Sequence, residues 1–268
     1  MASPTRRTAL VTGASAGIGL ALAREFAAHG FDLVLVARRE ERLRALSREL
    51  GERFRVDARV LVADLGDPAA PARIFDTCRA DGRQVDALVN NAGYGIKGRF
   101  LDTTWEQHAR FIQVMMTAVA EITYRFLPDM IERHYGRIIN VASLAGLAPS
   151  TAGHTLYAAS KAFVIKFSQS VGFEARRHNV HVTALCPGFT YTEFHDVNAT
   201  RERVKELPRW MWMDAESVAR DGYKAVMRGD LIHVPGRLNR VLALAARLSP
   251  QSLVTSVVRR QGRKWREA

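Results

Sequence analysis

The chain has 268 residues, of which 47% are apolar and 25% charged, with a formal net charge of +12. This is the balance of a globular domain; no linker, repeat or low-complexity tract divides it, and no apolar run approaches the ~18 residues of a membrane-spanning helix. Eight Lys/Arg against the single acid Glu267 put +7 of the charge between Arg237 and Ala268, a balance that invites anionic partners, yet no zinc-finger spacing or aromatic RNA-binding motif accompanies it, so nucleic acid is not expected.

Thr8–Thr12 is a short apolar strand. A glycine-rich turn follows, then a helix from Ile18 to His29 with Ile18, Leu22, Ala23 and Phe26 on one face, stopped at Gly30. Asp32–Ala37 is a second strand, whose unbroken apolar run suits a sheet covered on both sides. Helix 40–50, strand 58–63, a helix opened by Pro71, strand 86–90 and a long helix from Thr104 to Arg133 come next. Strand 137–142, helix 157–177, strand 180–186, a helix capped by Asp214 and a short strand at 231–234 complete the series. Such alternation predicts an α/β, single-domain Rossmann fold: a doubly wound parallel sheet of about seven strands with helices on both faces. Met1 to Thr8 is too short and polar for a signal peptide. Cys78 and Cys186 stand far apart, without His or Cys at metal spacing, which reads as two reduced core thiols in a cytoplasmic protein with no metal site.

The turn Thr12-Gly-Ala-Ser-Ala-Gly-Ile-Gly19 lies between the first strand and the first helix. Gly13 allows the tight bend, Gly17 and Gly19 allow close approach of a pyrophosphate and packing of helix on strand, and the helix N-terminus offers free N–H groups. A site for NAD wants a carboxylate at the end of the second strand; this chain has Ala37-Arg38-Arg39. A guanidinium binds a 2′-phosphate that a carboxylate would repel, so NADP(H) is expected, with Arg38 the first choice and Arg39 either a helper or a solvated charge. Tyr157 and Lys161, four apart, share one helix face, and a nearby ammonium together with a positive nicotinamide ring lowers a tyrosine pKa toward useful acid–base work. Ser143 ends the fifth strand, on the edge that lines the ligand crevice.

The combination resembles the classical short-chain dehydrogenase/reductase family over about residues 8 to 235. Its motifs stand in order: Thr12 to Gly19, Asn90-Asn91-Ala92-Gly93, Ser143, Tyr157 with Lys161, and Pro187-Gly188 with Thr192. The resemblance implies that Tyr157 exchanges a proton with the carbonyl oxygen while hydride passes to or from nicotinamide C4. It implies that Ser143 hydrogen-bonds that oxygen and that Lys161 holds the nicotinamide ribose. Gly13, Ser15, Ala16, Gly17, Ile18 and Gly19 would surround the pyrophosphate. Asp64 and Leu65 would meet the adenine, Asn91, Ala92 and Gly93 would wall the adenosine, and Pro187, Gly188, Thr190 and Thr192 would orient the carboxamide. The chain departs from the family at Met115, which occupies the position of an Asn whose backbone carbonyl serves a proton relay. A non-catalytic NADP(H)-binding regulator or scaffold is the alternative that Met115 suggests.

The resemblance places a substrate lid at about 189–213, and Phe189, Phe194, Trp210, Met211, Trp212 and Met213 make that stretch apolar. Either a hydrophobic carbonyl or alcohol substrate meets these groups, or they anchor the lid. Tyr94, Leu144 and Ala145 are further wall residues, and His195 is a loop histidine that could touch substrate. A homodimer or homotetramer is expected through the long helix and helix 157–177, where Phe163, Phe167 and Val171 face either a partner or this chain's own sheet. The dehydrogenase domain is read as 1–236. Residues 237–268 form a basic amphipathic extension, with Leu238, Val241, Leu242, Ala245 and Leu248 at helical spacing and Leu253, Val254, Val257 and Val258 repeating it. The extension either docks on the protein or makes a peripheral contact with an anionic membrane.

Overall fold

The computed structural model describes residues 6–96, 98–150, 155–192 and 208–248. Seven strands, β1 (Thr8–Thr12), β2 (Asp32–Ala37), β3 (Ala58–Val62), β4 (Val85–Asn90), β5 (Gly136–Val141), β6 (Val180–Leu185) and β7 (Ile232–His233), form one sheet in the order β3-β2-β1-β4-β5-β6-β7. Every pairing is parallel. Among the described residues the α-helices are α1 (Gly17–Ala28), α2 (Glu40–Phe54), α3 (Ala70–Ala80), α4 (Trp105–Ile112), α5 (Ala118–Glu132), α6 (Thr155–Ala175), α7 (Ala215–Arg228) and α8 (Arg237–Leu248).

Strand alternation divides the core. In β2, Leu33 and Leu35 point to one side and join Phe26 of α1, Leu43 and Leu50 of α2, and Val218 and Val226 of α7. Val34 and Val36 point to the other, with Ile74 of α3, Phe111 of α4 and Ile122 and Phe126 of α5. A smaller cluster, Ala142, Val164, Ile165, Ala184 and Cys186, lies under α6. The continuous apolar strands are therefore covered on both faces, as a parallel sheet requires. Both cysteines are buried and unpaired, and burial pushes the Cys78 thiol up to about 11 and the Cys186 thiol to about 12.

Three element boundaries differ from the sequence expectation. Helix α2 runs through Gly51 to Phe54 and ends at Arg55 in the left-handed conformation, φ 56°. Leu50 is fully buried and Phe54 packs on the same cluster, which outweighs the ~1 kcal/mol that a mid-helix glycine costs. The long helix is two: a π-helical turn, Gln113–Thr117, joins α4 to α5, and Met115 sits in it, 1% exposed. Strand β7 has only two residues, Ile232 and His233. On the α5 and α6 side, a buried polar ladder ties helices to strands. Asn90 donates to Thr123 Oγ1 of α5 (3.1 Å) and to Asn140 Oδ1 of β5 (2.8 Å), and Asn140 donates to Ser168 Oγ of α6 (2.9 Å). These bonds hold α6 in register with the strands whose ends build the site.

Candidate functional site

Strand β1 lies between β2 and β4, so the chain leaves the adjacent ends of β1 and β4 in opposite directions and opens a crevice. Thr12 braces it: its hydroxyl donates to the Val89 carbonyl (3.1 Å) and accepts from the backbone N–H of Asn91 (3.0 Å) and Ala92 (3.2 Å). The Asn91 amide donates to the carbonyls of Thr12 (3.0 Å) and Gly13 (3.3 Å). Asn91 thus holds the glycine turn as well as standing at the crevice. A Cβ at Gly19 would lie 2.3 Å from Asn91 Nδ2 and 2.4 Å from the Gly13 carbonyl oxygen, so the close packing of α1 on this turn admits no side chain there. Helix α1 has no side-chain N-cap and no acid in its first turn, which leaves its N–H groups at Gly17, Ile18 and Gly19 oriented for an anion. Thr192, on the chain after β6, closes over this end: a Cβ on Gly17 would meet its methyl at 3.0 Å.

The two arginines after β2 go to different places. Arg39 reaches back to the turn and donates to Ser15 Oγ through Nη2 (3.0 Å) and Nε (3.2 Å). Arg38 is exposed and, among the described residues, makes no hydrogen bond or ion pair. Beyond it lie Asp64 and the buried Leu65. Asp64 accepts from the Gly66 N–H (2.9 Å) and from Arg110 Nη2 of α4 (2.5 Å). Despite the cost of desolvation, those bonds and the charges of Arg110 and Arg38 hold its carboxyl below the usual range. Ala92, Gly93 and the half-buried Tyr94 continue this wall, and Met115 presses its sulfur against Gly93, 2.9 Å from where a Cβ would be.

Ser143, Tyr157 and Lys161 meet beside the crevice. The Ser143 hydroxyl accepts from the Ala145 N–H (3.1 Å) and hydrogen-bonds to the Tyr157 side chain. Lys161 is 6% exposed; its Nζ donates to the Val141 carbonyl at the end of β5 (2.7 Å) and lies 5.8 Å from the Tyr157 ring centre. Gly146 lets the turn after Ser143 lie close on α6, since a Cβ there would sit 2.6 Å from the Lys161 carbonyl carbon. The expectation that the ammonium lowers the tyrosine pKa is not met in the protein alone. Desolvation is the largest influence on both groups, raising Tyr157 above its ordinary value against the Ser143 hydrogen bond and lowering Lys161 to about 8.

The short chain dehydrogenase profile matches residues 7–203. The chain belongs to the short-chain dehydrogenase family. It is 34% identical over 227 residues to oxidoreductase UcpA of Escherichia coli strain K12, covering 84% of this chain and 82% of that one. Among solved structures, a short-chain dehydrogenase from Sphingobium yanoikuyae in complex with NADPH superimposes with a TM-score of 0.80 at 34% identity, over 89% of this chain and 91% of the other. The bulky-bulky ketone specific alcohol dehydrogenase from Comamonas testosteroni does so with a TM-score of 0.75 at 30% identity, over 93% and 94%. This dehydrogenase is accordingly an oxidoreductase of carbonyl and alcohol groups.

The stretch expected to form a lid, 189–213, is described at its two ends. After Pro187-Gly188, Thr190 is buried and its hydroxyl donates to the Gly188 carbonyl (3.2 Å). The Tyr191 N–H donates to the Met213 carbonyl, and the Met213 N–H to the Phe189 carbonyl, both at 2.9 Å. Tyr191 stacks on Trp212 at 4.6 Å, Phe189 lies 5.6 Å from Trp212, and Trp210 is 67% exposed. Met213 is thus held by backbone bonds on both sides, whereas Trp210 stands largely in solvent. Phe194 and His195 lie outside the described residues. Asn239 of α8 is 6% exposed, donates to the Pro235 carbonyl (3.0 Å), and abuts Gly188, where a Cβ would fall 2.6 Å from its Oδ1. The roles of Thr12, Arg110, Gly146 and Asn239 were not evident beforehand. Thr12 opens a quoted motif and Gly146 stands next to one, but Arg110 and Asn239 carry no local signal. A cleft near Arg44, Asp57, Arg59 and Arg83 sits at the opposite edge of the sheet, and its arginines pair with Glu40, Asp81 and Asp57.

Proposed function

We propose that the chain is an NADP(H)-dependent reductase or dehydrogenase of hydrophobic carbonyl and alcohol compounds. The convergence of Ser143, Tyr157 and Lys161 beside the glycine-rich turn carries the reading. In it, the Tyr157 hydroxyl gives its proton to the substrate oxygen, or receives it in the reverse direction, and Ser143 hydrogen-bonds the same oxygen. Lys161 holds the ribose hydroxyls and completes the polar environment of Tyr157. Bound nicotinamide supplies or accepts the hydride, and its positive oxidised form favours the tyrosinate that burial disfavours. The protein fits that group: Gly13 and Gly19 have no room for a side chain, the N-terminus of α1 is uncapped, and Arg38 has no hydrogen-bond or ion-pair partner among the described residues. Arg38 would bind the 2′-phosphate, with Arg39 ordering Ser15. The NADPH named in the Sphingobium yanoikuyae complex agrees with that choice.

Hydrophobic substrate is supported by Tyr94, Trp210 and the Phe189–Trp212–Tyr191 group around the lid, and by relatives named for bulky ketones and for very-long-chain 3-oxoacyl-CoA. A screen of NADPH oxidation over ketones, aldehydes, 3-oxoacyl thioesters and steroids tests the reading. Turnover restricted to bulky apolar carbonyls supports it, and no turnover with any class would leave the non-catalytic binder in its place.

The same reading makes the protein a homo-oligomer through α4, α5 and α6. Phe163 and Val171 pack against this chain's own core, so the support comes from the exposed Tyr124 and Phe173. Residues 237–268 are treated as an extension of the 1–236 domain. Its first turn docks through Asn239, while Leu238, Val241, Leu242 and Leu244 of α8 remain 37–63% exposed, which leaves an apolar face for a partner or an anionic membrane. No helix among the described residues is long and apolar enough to cross a membrane.

A further inference from the structure

Asp64 lies where a carboxylate is awkward for a protein that reads a 2′-phosphate. It shares the crevice edge with Arg38, close enough that both Arg38 and Arg110 draw its carboxyl down and both act on the Tyr94 hydroxyl. Left alone, Asp64 would repel the dianionic phosphate and would compete for the Arg38 guanidinium. It is not left alone. Arg110, projecting from α4, donates Nη2 to one carboxylate oxygen at 2.5 Å, while the Gly66 N–H holds the other at 2.9 Å. The guanidinium lies flat against Gly66: a Cβ there would sit 2.4 Å from its Cζ, so the absence of a side chain at residue 66 is what admits it. Arg38 meanwhile has no hydrogen bond or ion pair among the described residues.

We infer that Arg110 is a specificity-determining positioning residue, which by occupying Asp64 keeps Arg38 available to the cofactor's 2′-phosphate. The inference rests on the NADP(H) reading above and deepens it, because it says why a carboxylate and a phosphate-binding arginine coexist at one edge. Arg110 touches Asp64 and acts on the phosphate only through it. Loss of Arg110 transfers Asp64 to Arg38, and the cofactor that depends on Arg38 alone suffers.

The test measures dissociation constants of the full-length protein for NADPH and NADH by titrating cofactor fluorescence, and reads the ratio Kd(NADH)/Kd(NADPH). A general loss of structure lowers both affinities and leaves that ratio alone. Arg110→Ala, and Arg110→Gln, which retains a side chain over Gly66, should each reduce the ratio about tenfold, the size of coupling expected among charged neighbours. Adding Asp64→Asn to Arg110→Ala should return it to within about threefold of the parent, since the competing charge is gone. Asp64→Asn alone should preserve the preference. An unchanged ratio in both Arg110 variants overturns the inference. So does an Arg110→Ala/Asp64→Asn double variant as impaired as Arg110→Ala, because Arg110 would then contact the phosphate itself. Arg38→Ala separates the two levels of the argument. If it collapses the ratio while the Arg110 variants do not, only the role of Arg110 is lost. If it leaves the ratio intact, the assignment of Arg38 fails and the inference falls with it.

Discussion

Replacing Lys161 by Met should make the cofactor-free protein more stable relative to the parent at neutral than at alkaline pH, while abolishing turnover. Lys161 is 6% exposed, has one carbonyl partner, and has its pKa lowered from 10.5 to about 8 by desolvation. Because the folded value lies below the unfolded one, the unfolded chain holds more protons between about pH 8 and 10.5, and stability rises with pH across that window. The shift corresponds to about 3 kcal/mol of destabilisation at pH 7, most of which is recovered by pH 10. Met removes the charge and keeps the bulk of the stem; it also strands the Val141 carbonyl, at a pH-independent cost of about 1–3 kcal/mol. The informative quantity is therefore the parent–variant difference in unfolding free energy from urea melts at pH 7 and pH 10, in which all shared titrations cancel. The variant should gain on the parent by about 2–3 kcal/mol at pH 7 relative to pH 10. Equal differences at the two pH values would show that Lys161 is not desolvated in the folded protein and would refute the electrostatic account of the site.

Tyr157→Phe should lose nearly all turnover and retain NADPH affinity, since the ring still packs and only the proton donor and its bond to Ser143 are gone; steady-state rates beside fluorescence titration check this, and substantial turnover would remove Tyr157 from the chemistry. Gly146→Ala should cut kcat with little change in NADPH binding, because a methyl 2.6 Å from the Lys161 backbone must push the Ser143 loop off α6, and parallel falls in both quantities would point to general disruption instead. Light scattering at micromolar concentration should give a dimer or tetramer, and a monomeric mass would refute the α4–α6 interface. Truncation after Gly236 should abolish any co-sedimentation with anionic vesicles seen at low salt. Equal pelleting of full-length and truncated protein would end the membrane reading, and an insoluble truncated chain would show that the Asn239 contact with Gly188 belongs to the core.

Whatever depends on neighbours in the chain was legible in the sequence. The alternation of strand and helix, the bend at Gly13, the common face of Tyr157 and Lys161, and Ser143 at a strand end all follow from local geometry and from the rule that a buried parallel sheet needs apolar strands. The helix ends were harder because they are decided by contacts: α2 continues through Gly51 because Leu50 and Phe54 find the core beneath them. What only the tertiary structure decided involves groups brought together from far apart. Thr12 and Asn91 are 79 residues apart, Asp64 and Arg110 are 46, and Asn239 reaches Gly188 from the start of the tail. No periodicity encodes such meetings, because the sheet order that creates them is a property of the assembled fold. The same holds for the charge state at the centre of the site. A lysine four residues from a tyrosine suggests an ammonium that lowers the tyrosine pKa. Burial beneath the Val141 carbonyl lowers the lysine and raises the tyrosine, because desolvation outweighs the Cys186 charge that acts on Lys161 and the Ser143 hydrogen bond that acts on Tyr157.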